Sequence, residues 1–286
     1  MAEAEIAFIG GSGLYDIDGL TDPDQVSIDT PFGPPSDAFT IGTLQGRRVA
    51  FLARHGKGHR HLPSEIPFRA NIYALKLLGA ERIISISAVG SLQESIAPLD
   101  MVVPDQIIDR TRGRVSTFFG NGVAAHVGFA DPFCSELRQD LVETASNTSV
   151  TVHDGGVYVV MEGPQFSTRA ESQLYRSWGA SIIGMTALPE AKLAREAEIC
   201  YATLALVTDY DVWHRTEAEV SVDLVVANLM KNVATTQALL PDLAACIPES
   251  KPCDCQSALE RAIITSRDLI PDEAKSRLSA IIGPYL

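Results

Sequence analysis

The sequence is short of positive charge. Its 286 residues carry 23 Lys and Arg against 36 Asp and Glu, a formal net charge of −13, with a pI near 4.9. A surface this acidic does not coat a phosphate backbone, which excludes nucleic acid as a partner. Runs of 18 apolar residues are also missing, so no membrane span is expected. The opening Met1-Ala2-Glu3-Ala4-Glu5 lacks the basic region of a secretory signal, and the expectation is a soluble cytoplasmic protein. Cysteine is scarce. Cys134, Cys200, Cys246, Cys253 and Cys255 are too few and too scattered for a disulfide scaffold, and no C-x-x-C occurs, which argues against a zinc ribbon or a thioredoxin motif. Cys253-Asp254-Cys255 sits in a Pro- and Ser-containing stretch and reads either as two exposed thiols in a linker or as a disulfide.

What remains is ordinary globular composition, 46% hydrophobic and 21% charged, in a chain long enough for a full core. Apolar or β-branched runs at 5–9, 48–53, 82–88, 157–161, 182–185 and 199–208 predict buried strands. Helical spacing predicts helices over 67–78, 167–178, 189–198 and 220–240, the last stopped by Pro241. This alternation predicts an α/β fold with a central mixed β-sheet flanked by helices. Residues 1–246 read as one domain. Residues 247–286 read as a linker with the Cys-x-Cys followed by an extension of that domain, helical over 258–267 and 271–282.

Four strand ends carry candidate chemistry. Residues 54–61, Arg-His-Gly-Lys-Gly-His-Arg-His, place six potential cations among eight residues, and no Asp or Glu occurs between Asp37 and Glu65. In an acidic protein such a loop suits a small anion, with Arg54 forking onto an oxyanion and His55 donating; a solvated basic loop is the plain alternative. His55, His59 and His61 are poor metal ligands, because two glycines break the helix their spacing would need and no carboxylate lies nearby. Gly10-Gly11-Ser12-Gly13 and Ser87-Ala88-Val89-Gly90-Ser91 each end a strand with small and hydroxyl residues. Backbone amides there can cradle a phosphate, or simply turn the chain. Neither is a dinucleotide fingerprint, a Walker loop or a nucleophile elbow. Thr208-Asp209-Tyr210-Asp211 ends an apolar strand with two carboxylates that would face one side if the strand continued. One of them can hold a proton if its pKa is raised.

Phe8-Ile9-Gly10-Gly11-Ser12-Gly13-Leu14, Asp29-Thr30-Pro31-Phe32-Gly33, Leu52-Ala53-Arg54-His55-Gly56, the run from Glu162 to Glu171, Gly184-Met185-Thr186 and Thr208 to Asp211 follow in order over residues 5 to 240. In this the chain resembles the trimeric purine nucleoside phosphorylases, and within them the branch that cleaves methylthioadenosine. The resemblance implies a pentosyltransferase of purine and methionine salvage. It would use inorganic phosphate as co-substrate to release adenine and 5-methylthioribose 1-phosphate, with no cofactor and no metal. It also implies a homotrimer. Ser12, Arg54, His55, Ser87, the Ala88 backbone and Thr186 would hold phosphate; Ser87 stands where many relatives have Thr. Phe166 would stack near the base and Met185 pack on the ribose. Val222 and Val225, which as helix residues would otherwise simply be core, would line the 5′ pocket. His59 would lie at that end, and His126 would reach in from a neighbouring subunit.

By the same resemblance Asp209 and Asp211 would face N7 and the exocyclic amine of adenine. Relatives that prefer 6-oxopurines generally have Asn in place of Asp209, which favours adenine here over hypoxanthine. The alternatives are a 6-oxopurine or methylthioinosine phosphorylase, a nucleoside hydrolase (whose acidic metal cluster after the first strand is missing), and a binding module without turnover.

Overall fold

The computed structural model describes residues 4–11, 17–214, 222–249 and 253–286, with 222–225 described by backbone only. The sheet is organised around β5 (Arg82–Ser91), which runs parallel to β1 (Ile6–Gly10) on one side and to β11 (Cys200–Asp209) on the other. Near its end, Gly90 and Ser91 pair antiparallel with β10 (Ile182–Gly184), so the sheet forks there. One arm continues through β9 (Val157–Met161) to β7 (Gln106–Arg110), both parallel. From β11 the other arm continues to β6 (Met101–Val103) and β8 (Val152–Asp154). Beyond β1 lie β4 (Arg47–Ala53), β3 (Phe39–Leu44) and β2 (Thr21–Val26). Parallel and antiparallel pairs mix in this 11-stranded sheet, as the alternating pattern predicts.

The central strands read as continuous apolar runs because both of their faces are covered. Ala7 and Ile9 of β1 point into one core with α1 (Phe68–Leu77) and α4 (Ala187–Glu196). Ile6 and Phe8 point into a second core with α2 (Ser135–Ala145) and α5 (Val222–Cys246). The period of two along the strand thus divides the two layers. On the forked arm, α3 (Arg169–Ser177) opens with a reciprocal cap between Thr168 and Glu171, a sequence-legible start signal. Among the described residues no helix is long and apolar enough to cross a membrane.

Besides β3, β6, β7, β8 and α2, for which the sequence reading holds no expectation, the structure departs from that reading along the chain. Helix α5 does not stop at Pro241 but continues to Cys246, because Leu239, Leu240, Leu243 and Ala244 bury their side chains in the second core. Residues 258–267 form turns rather than a helix. Ile263 instead bridges to Ala125 and packs with Leu259 into the first core, while α6 (Asp272–Arg277) and α7 (Ser279–Ile282) are the α-helices beyond it, flanked by single 3-10 turns at Arg267–Leu269 and Gly283–Tyr285. β2 is polar and exposed and carries Pro23 at a register shift, so it has no apolar signal and sits at an edge where proline is tolerated. Finally, the two thiols of the Cys-x-Cys are not exposed: Cys255 is buried and Cys253 half-buried beside Cys134 and Cys200, and only Cys246 faces solvent.

Candidate active site

The carboxyl ends of β1, β4, β5 and β11 share one edge, because all four strands run in the same direction. The Gly10–Ala53 and Asp209–Gly90 pairings bring Gly10-Gly11, Arg54-His55, Ser87-Ala88 and Thr208 to Asp211 to that edge. The Arg54 amide bonds the Gly10 carbonyl at 2.9 Å and locks the first two loops together.

Hydroxyl groups line the middle of this edge. Ser87 Oγ lies 3.1 Å from Thr186 Oγ1 and 3.5 Å from Ser85 Oγ, and all three residues are buried. Thr186 precedes α4 but spends no hydroxyl bond on capping it. Ala88 is exposed within an otherwise largely buried strand. Ser12 lies outside the described residues.

Arg54 occupies the floor. Its side chain is buried; Nε and Nη2 bond the Glu190 carboxylate at 2.5 and 3.2 Å, Nη2 also bonds Ser85 Oγ at 2.7 Å and the Ile9 carbonyl, and Nη1 bonds the Ile86 carbonyl. Burial works against the charge, but Glu190 beside it more than compensates, and the guanidinium pKa is raised. Glu190 also accepts from Tyr201 Oη and Ser85 Oγ. The arginine is therefore a braced cation behind the hydroxyls rather than a free fork. His55 Nδ1 sits 2.9 Å from the His61 carbonyl, which can only accept, so Nδ1 carries the proton. Burial, the main cause, lowers the His55 pKa to about 4, and the ring is neutral at pH 7 with Nε2 as an acceptor. The donor role read from sequence is thus already used within the protein. His59 stacks on His55 with ring centroids 4.1 Å apart.

The two carboxylates meet, but not by strand continuation. β11 ends at Asp209 after a register shift, and Asp211 follows in a turn with φ +49°. The Asp211 amide then donates to Asp209 Oδ1 at 2.8 Å. Thr208 Oγ1 lies 2.7 Å from Asp209 Oδ2 and 3.1 Å from the Val89 carbonyl, with one hydrogen for both. When that hydrogen goes to Val89, Asp209 must supply the proton of its own contact. Burial raises the pKa of both carboxyls, and for Asp211 the Asp209 charge adds to the effect. Among the described residues Asp211 Oδ2 is buried with no direct hydrogen-bond partner, although the nearby Ser172 and Ser167 hydroxyls partly offset the rise in its pKa; an oxygen so placed can accept from a ligand. Gly90 makes the room, since a Cβ there would lie 2.9 Å from Asp209 Oδ1 and 3.2 Å from Ile183 Cγ2.

Phe166 is exposed on the loop between β9 and α3. Met185 packs over Gly163, whose φ of +68° and contact with the Met185 sulfur leave no space for a side chain. Arg114 staples the two loops, donating to the Met185, Leu188 and Glu162 carbonyls at 2.6–2.7 Å. His126 is exposed on the β7–α2 connection, where its amide bonds the Ala262 carbonyl and its neighbours are 257–262 of the tail rather than the strand-end cluster. Val222 and Val225 open α5, but their side chains lie outside the described residues.

Four supporting residues escaped the sequence reading: Glu190, Arg114, Asn228 and Asn232. The two asparagines bond the Thr208 and Val207 carbonyls at 2.7 and 2.9 Å and so fix the end of β11. Their spacing of four on one face of a helix was a usable signal, as was a lone Glu190 in the apolar run of α4.

An α/β sheet that gathers hydroxyls, a buried cation and a raised-pKa carboxyl pair at one strand edge is the arrangement of a nucleoside-phosphorylase-like enzyme. The family model described as the phosphorylase superfamily matches residues 5–245, and the chain belongs to that family. It is 56% identical over 283 residues to the S-methyl-5′-thioadenosine phosphorylase of Koribacter versatilis, covering 99% of this chain and 97% of the relative. To the protein of that name from Geobacter sulfurreducens it is 55% identical, covering 99% and 100%. Among solved structures, a methylthioadenosine phosphorylase from an antarctic soil metagenomic library superposes with a TM-score of 0.94 at 53% identity, covering 98% of this chain and 99% of the other. The Schistosoma mansoni methylthioadenosine phosphorylase in complex with adenine gives 0.84 at 36% identity, covering 93% and 100%.

Proposed function

We propose that the chain catalyses phosphorolysis of 5′-methylthioadenosine to adenine and 5-methylthioribose 1-phosphate. The observation that carries the purine end is the buried Asp209–Asp211 pair, one carboxyl positioned to hold a proton and the other with an unpartnered oxygen. Adenine offers the matching groups, an N7 acceptor for Asp209 and a 6-amino donor for Asp211 Oδ2. A 6-oxo purine would set an acceptor against that oxygen.

In the reaction the C1′–N9 bond lengthens toward an oxocarbenium-like sugar, while a phosphate oxygen approaches C1′ from the opposite face and forms the new bond. The electron pair of the broken bond passes to the base, and Asp209 delivers a proton to N7. Ser12, Ser87, Thr186 and the Ala88 amide hold phosphate, with the Arg54 charge beneath. His55 Nε2 accepts from the protonated oxygen of hydrogen phosphate, a role that suits its neutral ring. Met185 and Phe166 flank ribose and base, and Val222, Val225 and His59 close the 5′ end. Phosphate is co-substrate, and no cofactor enters the step. The protein acts as a homotrimer in which His126 completes a neighbour's site; support comes from its exposure beside the tail, away from its own strand-end cluster.

The test is a chromatographic time course of methylthioadenosine with and without phosphate, alongside methylthioinosine and inosine. Adenine released only with phosphate is the expected result. Release in phosphate-free buffer would make the protein a hydrolase, and turnover confined to the inosines would overturn the carboxylate assignment. Sedimentation addresses the trimer, and a monomer at working concentration would refute it.

A further inference from the structure

Four of the five cysteines, from three distant parts of the chain, converge on one point. Cys134 caps the start of α2, Cys200 opens β11, Cys253 precedes a single 3-10 turn of the tail, and Cys255 lies within that turn. Their sulfurs all lie within 4.8 Å of one another, and Cys200 and Cys253 are 3.3 Å apart. A tetrahedral ion with metal–sulfur bonds of about 2.3 Å needs sulfurs about 3.8 Å apart on every edge. The observed separations, 3.3 Å for one pair and none above 4.8 Å, bracket that edge, whereas disulfides would draw the sulfurs into pairs at about 2.05 Å.

The surroundings fit a closed site. Cys134, Cys200 and Cys255 are buried and Cys253 half-buried, which leaves no open coordination position for substrate chemistry. Two ligands are held rigidly: the Cys134 amide bonds the Tyr201 carbonyl at 2.9 Å and the Cys200 amide bonds the Glu81 carbonyl at 3.0 Å. Cys134 also sits at the positive end of α2, where a thiolate is favoured. Glu198, two residues before Cys200, accepts from the Leu259 amide and from Tyr285 Oη, so the tail is already docked alongside. Cys246, only seven residues before Cys253, stays outside and exposed, so proximity in sequence does not explain the grouping. The absence of C-x-x-C, which speaks against a zinc ribbon, does not reach a site assembled across 121 residues of chain, from 134 to 255.

We propose that Cys134, Cys200, Cys253 and Cys255 form a structural four-thiolate site for one zinc ion, which fastens the tail to the start of β11 and α2. Binding displaces the thiol protons to solvent and changes no oxidation state. All-sulfur tetrahedral ligation selects a thiophilic ion over magnesium or calcium. The tail so fastened carries Ala262, whose carbonyl accepts from the His126 amide at 2.9 Å.

Metal analysis of the untagged full-length protein, dialysed against metal-free buffer, tests this directly. About one zinc per chain is expected, released when a mercurial titrates the thiols and counted with a metallochromic dye. Cys253→Ser with Cys255→Ser should abolish the zinc, while Cys246→Ser should keep it. Hydrogen exchange should rise in residues 258–282 of the double variant and stay unchanged in β5. Five titratable thiols without metal, an intact mass lowered by two hydrogens per disulfide, or zinc retained by the double variant would each overturn the proposal. Because metal content is read on the unmodified protein, the result does not depend on variants folding, nor on the proposed reaction.

Discussion

Replacing Asp209 by Asn separates proton transfer from shape. The side chain is 8% exposed and makes two contacts, accepting from the Asp211 amide at 2.8 Å and meeting Thr208 Oγ1 at 2.7 Å. An asparagine satisfies both: its oxygen accepts from the amide, and its NH2 donates to a threonine whose own hydrogen turns to Val89. No buried group is orphaned, so thermal stability should hold. Asn can hydrogen-bond N7 but cannot transfer a proton to it. Losing a preorganised transition-state contact of this kind costs about 2.7–4 kcal/mol, roughly 100- to 1,000-fold in kcat. We expect at least about a 100-fold fall in kcat with methylthioadenosine at saturating phosphate, and a smaller fall with methylthioinosine. The pH profile gives an independent check. Burial raises the Asp209 pKa, so the protonated form persists above the ordinary aspartate range and is lost as pH rises through the raised value. The wild-type rate should therefore descend on the alkaline side of that range, and the descent should vanish in Asp209→Asn. The same raised pKa contributes stability that is full below the unfolded value and disappears as pH rises through the folded one. Stopped-assay kinetics with unfolding curves measure all of this. A stable variant that keeps its rate within about five-fold of wild type would refute the proton-donor role.

Glu190→Ala leaves Arg54 buried without its carboxylate and should cost about 3–5 kcal/mol; denaturant titration checks it, and a loss below about 1 kcal/mol would mean the pair does not hold the floor. Gly90→Ala places a methyl 2.9 Å from Asp209 Oδ1 and should weaken turnover about ten-fold or more while the fold persists, on an overpacking scale of about 1–3 kcal/mol. Unchanged kcat/KM would show that the carboxylates have slack. His55, with a pKa near 4, should add no inflection to phosphate KM between roughly pH 5 and 8. Steady-state kinetics across that range, compared with His55→Ala, would expose one if the ring titrates there.

Local pattern was enough for most of the strands covered on both faces, since an apolar run ending in small residues leaves few other conformations, and it singled out Arg54, Ser87, Asp209 and Asp211 as candidates at strand ends, with Thr186 added by resemblance. Periodicity is local, and these signals are local. It could not show that β5 forks at Gly90, because that depends on which strand arrives as neighbour. Nor could it show that Pro241 is carried inside a helix, where four buried apolar residues outweigh a missing amide. The polar edge strand β2 has no pattern to read. Most of all, tertiary structure alone decided the partners of charged and sulfur groups. Arg54 and Glu190 are 136 residues apart and meet at 2.5 Å. Asp209 and Asp211 join through a left-handed turn rather than a strand, and four thiols from α2, β11 and the tail reach one point. Burying a charge or a thiol cluster is favourable only when its partner is present, and long-range packing supplies that partner.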